Sequence, residues 1–224
     1  PVLPLPSTSG SAIPSQLAGL VVSRLPTGRR VVALTFDAGA NGDGVTSILA
    51  TLAREKVAGS FFLTGDFGNR YPALARRMSA WGRLGNHTTD HPHLPSMTEA
   101  HVRAEITGAW RSILRVTGED TRPLFRFPFG DSSPRDLDLV RSLGYLTIGW
   151  AVDSLGWEGT SGGRSVDSIV NRVLHAATPG EIVLMHVGSH PTDHSTLDAE
   201  ALPRVISGLR SAGYSFVTLD ALRP

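Results

Sequence analysis

The stretch Val31-Val32-Ala33-Leu34-Thr35-Phe36-Asp37 (VVALTFD) is the strongest strand signal in the chain, and it ends on a carboxylate. Two later segments repeat this arrangement. The run Arg83–His87 leads into the pair His87 and His91, and the run Ile182–His186 ends on an imidazole. Titratable residues at the carboxyl ends of successive strands are typical of a parallel α/β barrel, whose active site lies at that end. An Asp and several His from different strands indicate metal-assisted hydrolysis.

Strand-like and helix-like segments alternate along the chain, which is the pattern of repeated βα units. About seven units can be counted, so we expect a distorted (β/α) barrel rather than the standard eight-unit form. An open, doubly wound sheet is the competing architecture, but no Gly-x-Gly-x-x-Gly sequence follows a strand. The predicted strands are Val31–Asp37, Ser60–Thr64, Arg83–His87, Leu124–Phe127, Tyr145–Val152, Ile182–His186 and Ser215–Leu219. The first predicted helix begins after Asp43 as its N-cap, the second spans 67–81, and the third runs from Thr98 to about Val116. The remaining predicted helices are Pro134–Leu143, Val166–Ala176 and Leu197–Leu209.

Composition limits the function classes. The 224 residues are 41% hydrophobic with a formal net charge of +1, so a sizeable core is expected, and nothing favours nucleic acid as a partner. There is no Cys, which excludes disulfides and a thiol nucleophile. No apolar run reaches the roughly 20 residues of a membrane span. Residues 1–28 are interpreted as a Pro/Ser-rich linker and lead-in, and 29–224 as the catalytic domain. A secreted or cell-envelope location is expected.

Three residues carry the predicted chemistry. His87 and His91 are four residues apart, and both imidazoles can bind one Zn²⁺ or similar ion; a polar surface turn is the alternative. Asp37 can be a metal ligand, a general base or a loop-capping residue.

Residues after the later strands would complete such a site. His186 can donate a proton to a leaving group. Arg126 needs a carboxylate partner, either Asp37 or Asp153, if it is buried. Asp153 can also orient His186 and raise its pKa, and Trp157 can wall a pocket.

Five of these segments, in this order, resemble the motifs of the polysaccharide deacetylase family (carbohydrate esterase family 4, the NodB-homology domain) between about Val31 and Leu219. The resemblance implies a distorted (β/α) barrel and a metal-dependent hydrolase that removes N- or O-acetyl groups from sugars. It implies the following roles: base Asp37, metal ligands His87 and His91, supporting residues Arg126 and Asp153, oxyanion donor Phe129 through its backbone N–H, pocket residues Pro128, Trp157 and Leu184, and general acid His186.

One position departs from the family pattern. Ala38 stands where the family has a second Asp that binds the metal. His87, His91 and waters can then hold the ion, Asp43 or Asn41 can supply a third ligand, or the site is empty. All other motifs are intact, so we expect an active enzyme that uses Zn²⁺ or Co²⁺, with Asp43 as the candidate third ligand.

The substrate class stays open at the level of sequence. Peptidoglycan, chitin-type oligomers and acetylated xylan are all compatible with the motifs, because loops choose among them. Two other functions are considered: a non-catalytic carbohydrate-binding module with a lost metal site, and an amidohydrolase that acts on a non-sugar amide.

Overall fold

The structure, a computed structural model, describes residues 15–222. Residues 1–14 of the predicted linker lie outside this range. Nine strands and seven α-helices alternate within residues 15–222. The strands are β1 (Val21–Val22), β2 (Val31–Ala38), β3 (Gly59–Leu63), β4 (Gly82–Asn86), β5 (Leu124–Phe125), β6 (Leu146–Ile148), β7 (Val152–Asp153), β8 (Glu181–His186) and β9 (Ser215–Phe216). The helices are α1 (Val45–Glu55), α2 (Gly65–Arg70), α3 (Pro72–Trp81), α4 (Glu99–Thr117), α5 (Pro134–Ser142), α6 (Val166–Ala176) and α7 (Leu197–Ser211).

The strands form one parallel sheet in the order β1-β6-β5-β4-β3-β2-β8-β7, with β9 added beside β2. This confirms the predicted distorted (β/α) barrel. The long strand β2 pairs with β3 on one side and β8 on the other. Its register with β8 sets Asp37 opposite His186, so the two residues meet at the carboxyl end of the sheet.

The barrel closes through one bent segment. The sequence predicts a single strand over Tyr145–Val152, but the structure divides it into β6 and β7, which lie near opposite ends of the sheet. β6 pairs with β5 and β1, whereas β7 pairs with β8. The bend includes Gly149, where an added Cβ would lie 2.9 Å from side-chain atoms of Val21 and Ser23. A glycine there lets β1 approach, and Gly149 N–H donates to the Val22 carbonyl at 3.0 Å.

Two apolar layers follow from the alternation of side chains along β2. Val32, Leu34, Phe36 and Ala38 belong to the large cluster that includes residues of the surrounding helices. Val31 and Ala33 belong to a smaller cluster that other strand residues complete. Asp37 therefore lies on the same face of β2 as Val31 and Ala33. Ala38 lies on the opposite face, which packs against the helices and is called the helix-facing core below.

Two local predictions need correction. The helix predicted over 67–81 is two helices, α2 and α3, because Pro72 has no N–H to donate and disfavours helical geometry at Tyr71, whose φ is −126°. Asp43 does not cap α1; the N-cap is Gly44, without a side-chain cap bond. The lead-in residues Val21–Val22 form a strand of the sheet, and the domain boundary at residue 28 stays a prediction.

A buried carboxylate lies at the amino end of β8, opposite the predicted site. Glu181 is fully buried, and neither of its carboxylate oxygens has a hydrogen-bond partner among the described residues. Burial raises its pKa to about 7, against a smaller lowering by the Thr178 backbone and Arg24. The folded protein therefore binds more protons here than the unfolded chain between about pH 4.5 and 7.

Stability should consequently fall as pH rises through this window. Glu181→Gln, which mimics the neutral carboxyl, is expected to match the wild type at pH 4.5 and to exceed it above pH 7 by roughly 1–3 kcal/mol. Urea denaturation at several pH values measures the difference. Glu99→Gln, at an exposed ion pair with Arg103, is the control and should show no such trend. Equal pH profiles for Glu181→Gln and wild type would contradict the assignment.

Candidate active site

The carboxyl ends of the strands surround one cavity of about 1040 Å³. Eight residues singled out from the sequence line it: Asp37, His87, His91, Phe129, Asp153, Trp157, Leu184 and His186. Nine further residues line it, and five of them have charged, amide or indole side chains that the sequence did not single out: Asp66, Asn69, Arg70, Asp90 and Trp150. Pro128, predicted as a pocket residue, is buried at the start of a 3₁₀ turn and is not among the lining residues; Phe127 and Phe129 are.

Asp37, which lines the cavity, belongs to a buried ion pair. Arg126 is 0% exposed, and its Nη1 donates to Asp37 Oδ1 at 2.7 Å. Its Nη2 donates to Thr35 Oγ1 at 2.9 Å and to the Gly149 carbonyl at 3.1 Å, and Cζ lies 4.1 Å from the ring centroid of Phe62. Burial works to raise the pKa of Asp37, but the Arg126 charge and nearby imidazoles outweigh it and hold that pKa below its ordinary value. Asp37 is therefore an ionised carboxylate at neutral pH.

The two predicted metal-binding imidazoles are in edge-to-face contact, with ring centroids 4.7 Å apart. His87 Nδ1 is 2.8 Å from the Arg126 carbonyl. Burial lowers the pKa of His87 in spite of Asp37, and burial together with the His87 charge lowers the pKa of His91 to about 4. Both rings are neutral at pH 7, as metal ligands must be. The turn between them places Thr88 and His91 at φ of 67°.

His87 presents toward Asp37 a ring nitrogen of the kind that binds a divalent ion. Because a carbonyl only accepts, His87 Nδ1 carries the proton and Nε2 presents a lone pair, which faces Asp37 Oδ2 across 3.4 Å. The His87 nitrogen and the Asp37 oxygen both accept, so a cation or a proton between them would be favourable. Their separation is close to the distance of about 3.3 Å between two ligand atoms of a tetrahedral zinc site. No group of three or more His, Cys, Asp or Glu side chains within residues 15–222 is arranged as a complete metal site.

The candidates for a third ligand are engaged elsewhere. Asp43 Oδ2 accepts from Ser189 Oγ at 2.6 Å, and Asn41 exchanges hydrogen bonds with the Ser189 backbone. Neither residue lines the cavity. Asp43 is exposed and holds the loop after β8, so the structure does not support it as the third ligand. Ala38 is fully buried within the helix-facing core.

An aromatic rim borders the mouth of the cavity. Phe129 has φ of 58°, a left-handed conformation that is uncommon for a residue with a side chain. Its ring is 57% exposed and stacks on His93 with centroids 3.9 Å apart. Trp157 is 51% exposed, and its Nε1 donates to Asp153 Oδ2 at 3.3 Å. Such half-exposed rings offer apolar faces to a ligand.

The carboxylate nearest to the His186 ring belongs to Asp198, a residue that the sequence did not indicate. The backbone N–H of His186 donates to Asp198 Oδ2 at 2.7 Å, and its Nδ1 lies 3.8 Å from the same oxygen. Burial works to lower the pKa of His186, but Asp198, Asp37 and Asp153 together raise it. Asp153, predicted to orient this ring, instead accepts from Leu155 N–H and Trp157 Nε1. Its effect on His186 is through its charge.

Comparison with known proteins identifies a family and several relatives with similar sequences. The family model described as polysaccharide deacetylase matches residues 24–148. The chain is similar to a peptidoglycan-N-acetylglucosamine deacetylase of Bacillus cereus, with 31% identity over 198 residues that cover 88% of this chain and 70% of the relative. It is also similar to a chitooligosaccharide deacetylase of Sinorhizobium fredii, with 33% identity over 201 residues that cover 86% of this chain and 92% of the relative.

Solved structures show the same fold. A crystal structure of a peptidoglycan N-acetylglucosamine deacetylase superposes with a TM-score of 0.82 at 29% identity, covering 91% of this chain and 92% of that chain. A CE4 family pseudoenzyme from Bacillus anthracis superposes with a TM-score of 0.83 at 25% identity, covering 92% of this chain and 69% of that chain. A mutant of that pseudoenzyme is described as having restored enzymatic activity.

The buried ion pair of Asp37 and Arg126 should be essential for stability. Arg126→Met leaves the Asp37 carboxylate buried without its cation, and we expect the free energy of unfolding to fall by about 3–5 kcal/mol. The double variant Asp37→Asn/Arg126→Met should lose less, because it leaves no unpaired charge. Arg204→Met, which removes an exposed pair with Asp167, is the control and should cost less than about 1 kcal/mol. Equal losses in Arg126→Met and Arg204→Met, measured by urea denaturation, would contradict this account.

Proposed function

The chain belongs to the polysaccharide deacetylase family, and from this membership we propose that it hydrolyses acetyl groups on an acetylated glycan. One observation carries the proposal. Asp37, with a lowered pKa, and His186, with a raised pKa, are register partners on adjacent strands and line the same cavity. A carboxylate that accepts a proton and an imidazolium that donates one are what hydrolysis of an amide or ester requires.

The reaction divides between these two groups. Asp37 takes a proton from the attacking water, and Arg126 keeps its carboxylate charged and oriented. His186 gives a proton to the departing amine or hydroxyl, so that acetate and the free sugar group are released. Both proton transfers involve groups held on rigid strand ends, which favours precise positioning.

The remaining residues bind and polarise the acetyl group. A divalent ion held by His87 and His91 would supply Lewis-acid polarisation of the acetyl carbonyl. We assign the backbone N–H of Phe129 as a further donor to the carbonyl oxygen as negative charge develops there. Leu184 and Trp157, which line the cavity, would contact the acetyl methyl group.

The substrate class follows from the relatives. Peptidoglycan and chitin-type oligomers are the substrates that their names state, and the half-exposed rings of Phe129 and Trp157 suit sugar faces. A glycan of the cell envelope is accordingly the proposed substrate, at an envelope or secreted location. No helix within residues 15–222 is long and apolar enough to span a membrane.

A second function is favoured by one residue. Ala38 cannot bind a metal, and the similar Bacillus anthracis protein is described as a pseudoenzyme. A non-catalytic carbohydrate-binding module is the corresponding proposal. It predicts binding of acetylated oligosaccharides without release of acetate.

Acetate release decides between these two functions. Chelated protein is incubated with peptidoglycan, N-acetylglucosamine oligomers or acetylated xylan, with and without Zn²⁺ or Co²⁺. We expect metal-dependent release, reduced by about 10²–10⁴-fold in Asp37→Asn and in His186→Ala. His175→Ala, on an exposed face of α6, is the control. Sugar binding without release from any substrate would favour the binding module.

Metal binding is measured independently of turnover. An ion that binds only the folded state raises the melting temperature, so Zn²⁺ should stabilise the wild type but not His87→Ala or His91→Ala. The affinity should be lower than that of a site with three protein ligands. His101→Ala, exposed on α4, should keep the wild-type response. A wild type without any Zn²⁺-dependent shift would rule out the two-imidazole site.

A further inference from the structure

We propose that Asp198, in the first turn of α7, is the positioning residue for the His186 imidazole, and that Gly156 provides the space in which its carboxylate lies. The inference rests on the proposed role of His186 as general acid. It assigns the positioning of the general acid to a residue of a helix, outside the segments at the strand ends. It also explains why a glycine stands at position 156.

The contact between Asp198 and His186 has two parts. The carboxylate accepts from the His186 backbone N–H at 2.7 Å, which ties the end of β8 to the start of α7. The same oxygen, Oδ2, lies 3.8 Å from Nδ1. Nδ1 of His186 and Oδ1 of Asp198 are both buried and have no hydrogen-bond partner among the described residues. A small rotation of the ring would pair Nδ1–H with the carboxylate, as catalytic hydrogen bonds often tighten when substrate binds.

The other carboxylates that influence His186 are already committed. Asp37 accepts from Arg126, and Asp153 accepts from a backbone N–H and from the Trp157 indole. Asp198 alone among these three keeps a buried oxygen without a partner. It is also in the first turn of a 15-residue helix, where the helix dipole favours negative charge. Asp198 is therefore the carboxylate best placed to hold an imidazolium.

Gly156 makes this placement feasible. A Cβ built on Gly156 would lie 2.4 Å from Asp198 Oδ1 and 2.5 Å from its Cγ. The backbone of Gly156 is not in the left-handed region, so a side chain is excluded by the carboxylate and not by conformation. Positions 156 and 198 thus share one space next to His186. A carboxylate can enter that space from either position, provided that the other position is small.

The first test does not depend on turnover. The His186 imidazole is titrated by NMR in chelated wild-type protein and in Asp198→Asn, whose amide oxygen can still accept from the backbone N–H. We expect the pKa of His186 to be lower in the variant because the negative charge is gone. Asp193→Asn removes a carboxylate 3.4 Å from His190 in the adjacent loop and is the control. An unchanged His186 titration in Asp198→Asn would overturn the proposal.

The second test uses acetate release. Asp198→Asn should lower kcat by about 10- to 100-fold, a part of what a general acid supplies, with little change in KM. The exchange variant Gly156→Asp/Asp198→Gly returns a carboxylate to the same space and should recover kcat, whereas Asp198→Gly alone should not. A folded exchange variant that stays as slow as Asp198→Gly, or full kcat in Asp198→Asn, would overturn the proposal. A wild type that releases no acetate contradicts the proposed function, and the NMR titration then decides the role of Asp198 alone.

Discussion

The buried guanidinium of Arg126 is the interaction on which the rest of the structure depends. Its hydrogen bonds join the end of β5 to Thr35 and Asp37 of β2 and to the carbonyl of Gly149 in the bend between β6 and β7. A buried charge without partners costs several kcal/mol, so these strand ends must stay together for the protein to be folded. The contact that helps to close the barrel therefore also holds the proposed base.

Around this ion pair, four titratable groups that line one cavity have pKa values shifted in different directions. Asp37 is ionised because Arg126 outweighs burial. His87 and His91 are neutral because burial dominates. His186 favours the charged form because three carboxylates outweigh burial. Such divergence among neighbouring groups is typical of acid–base sites, where environment and not residue type decides which group gives and which takes a proton.

Ala38 affects one part of this arrangement and leaves the others intact. It belongs to the helix-facing core, together with Leu34 and Phe36, whereas Asp37 and His186 line the cavity. Alanine at position 38 is fully buried within this core. The contacts of Asp37 with Arg126 and of His186 with Asp198 do not involve position 38, so the alanine bears on the proposed metal site alone.

The barrel and most of the candidate site could be predicted from the order of residues, because strand periodicity and strand-end position are local properties of the chain. Asp37, His87, His91, Arg126 and His186 all occur directly at or after such strand ends. Which side chains contact one another depends on the packing of the elements in three dimensions. The predicted strand over Tyr145–Val152 bends at Gly149, and Asp43 accepts a hydrogen bond from Ser189. Asp198 of α7 lies next to His186. These outcomes depend on packing between elements separated by loops, and side-chain contacts across such loops leave no period in the sequence.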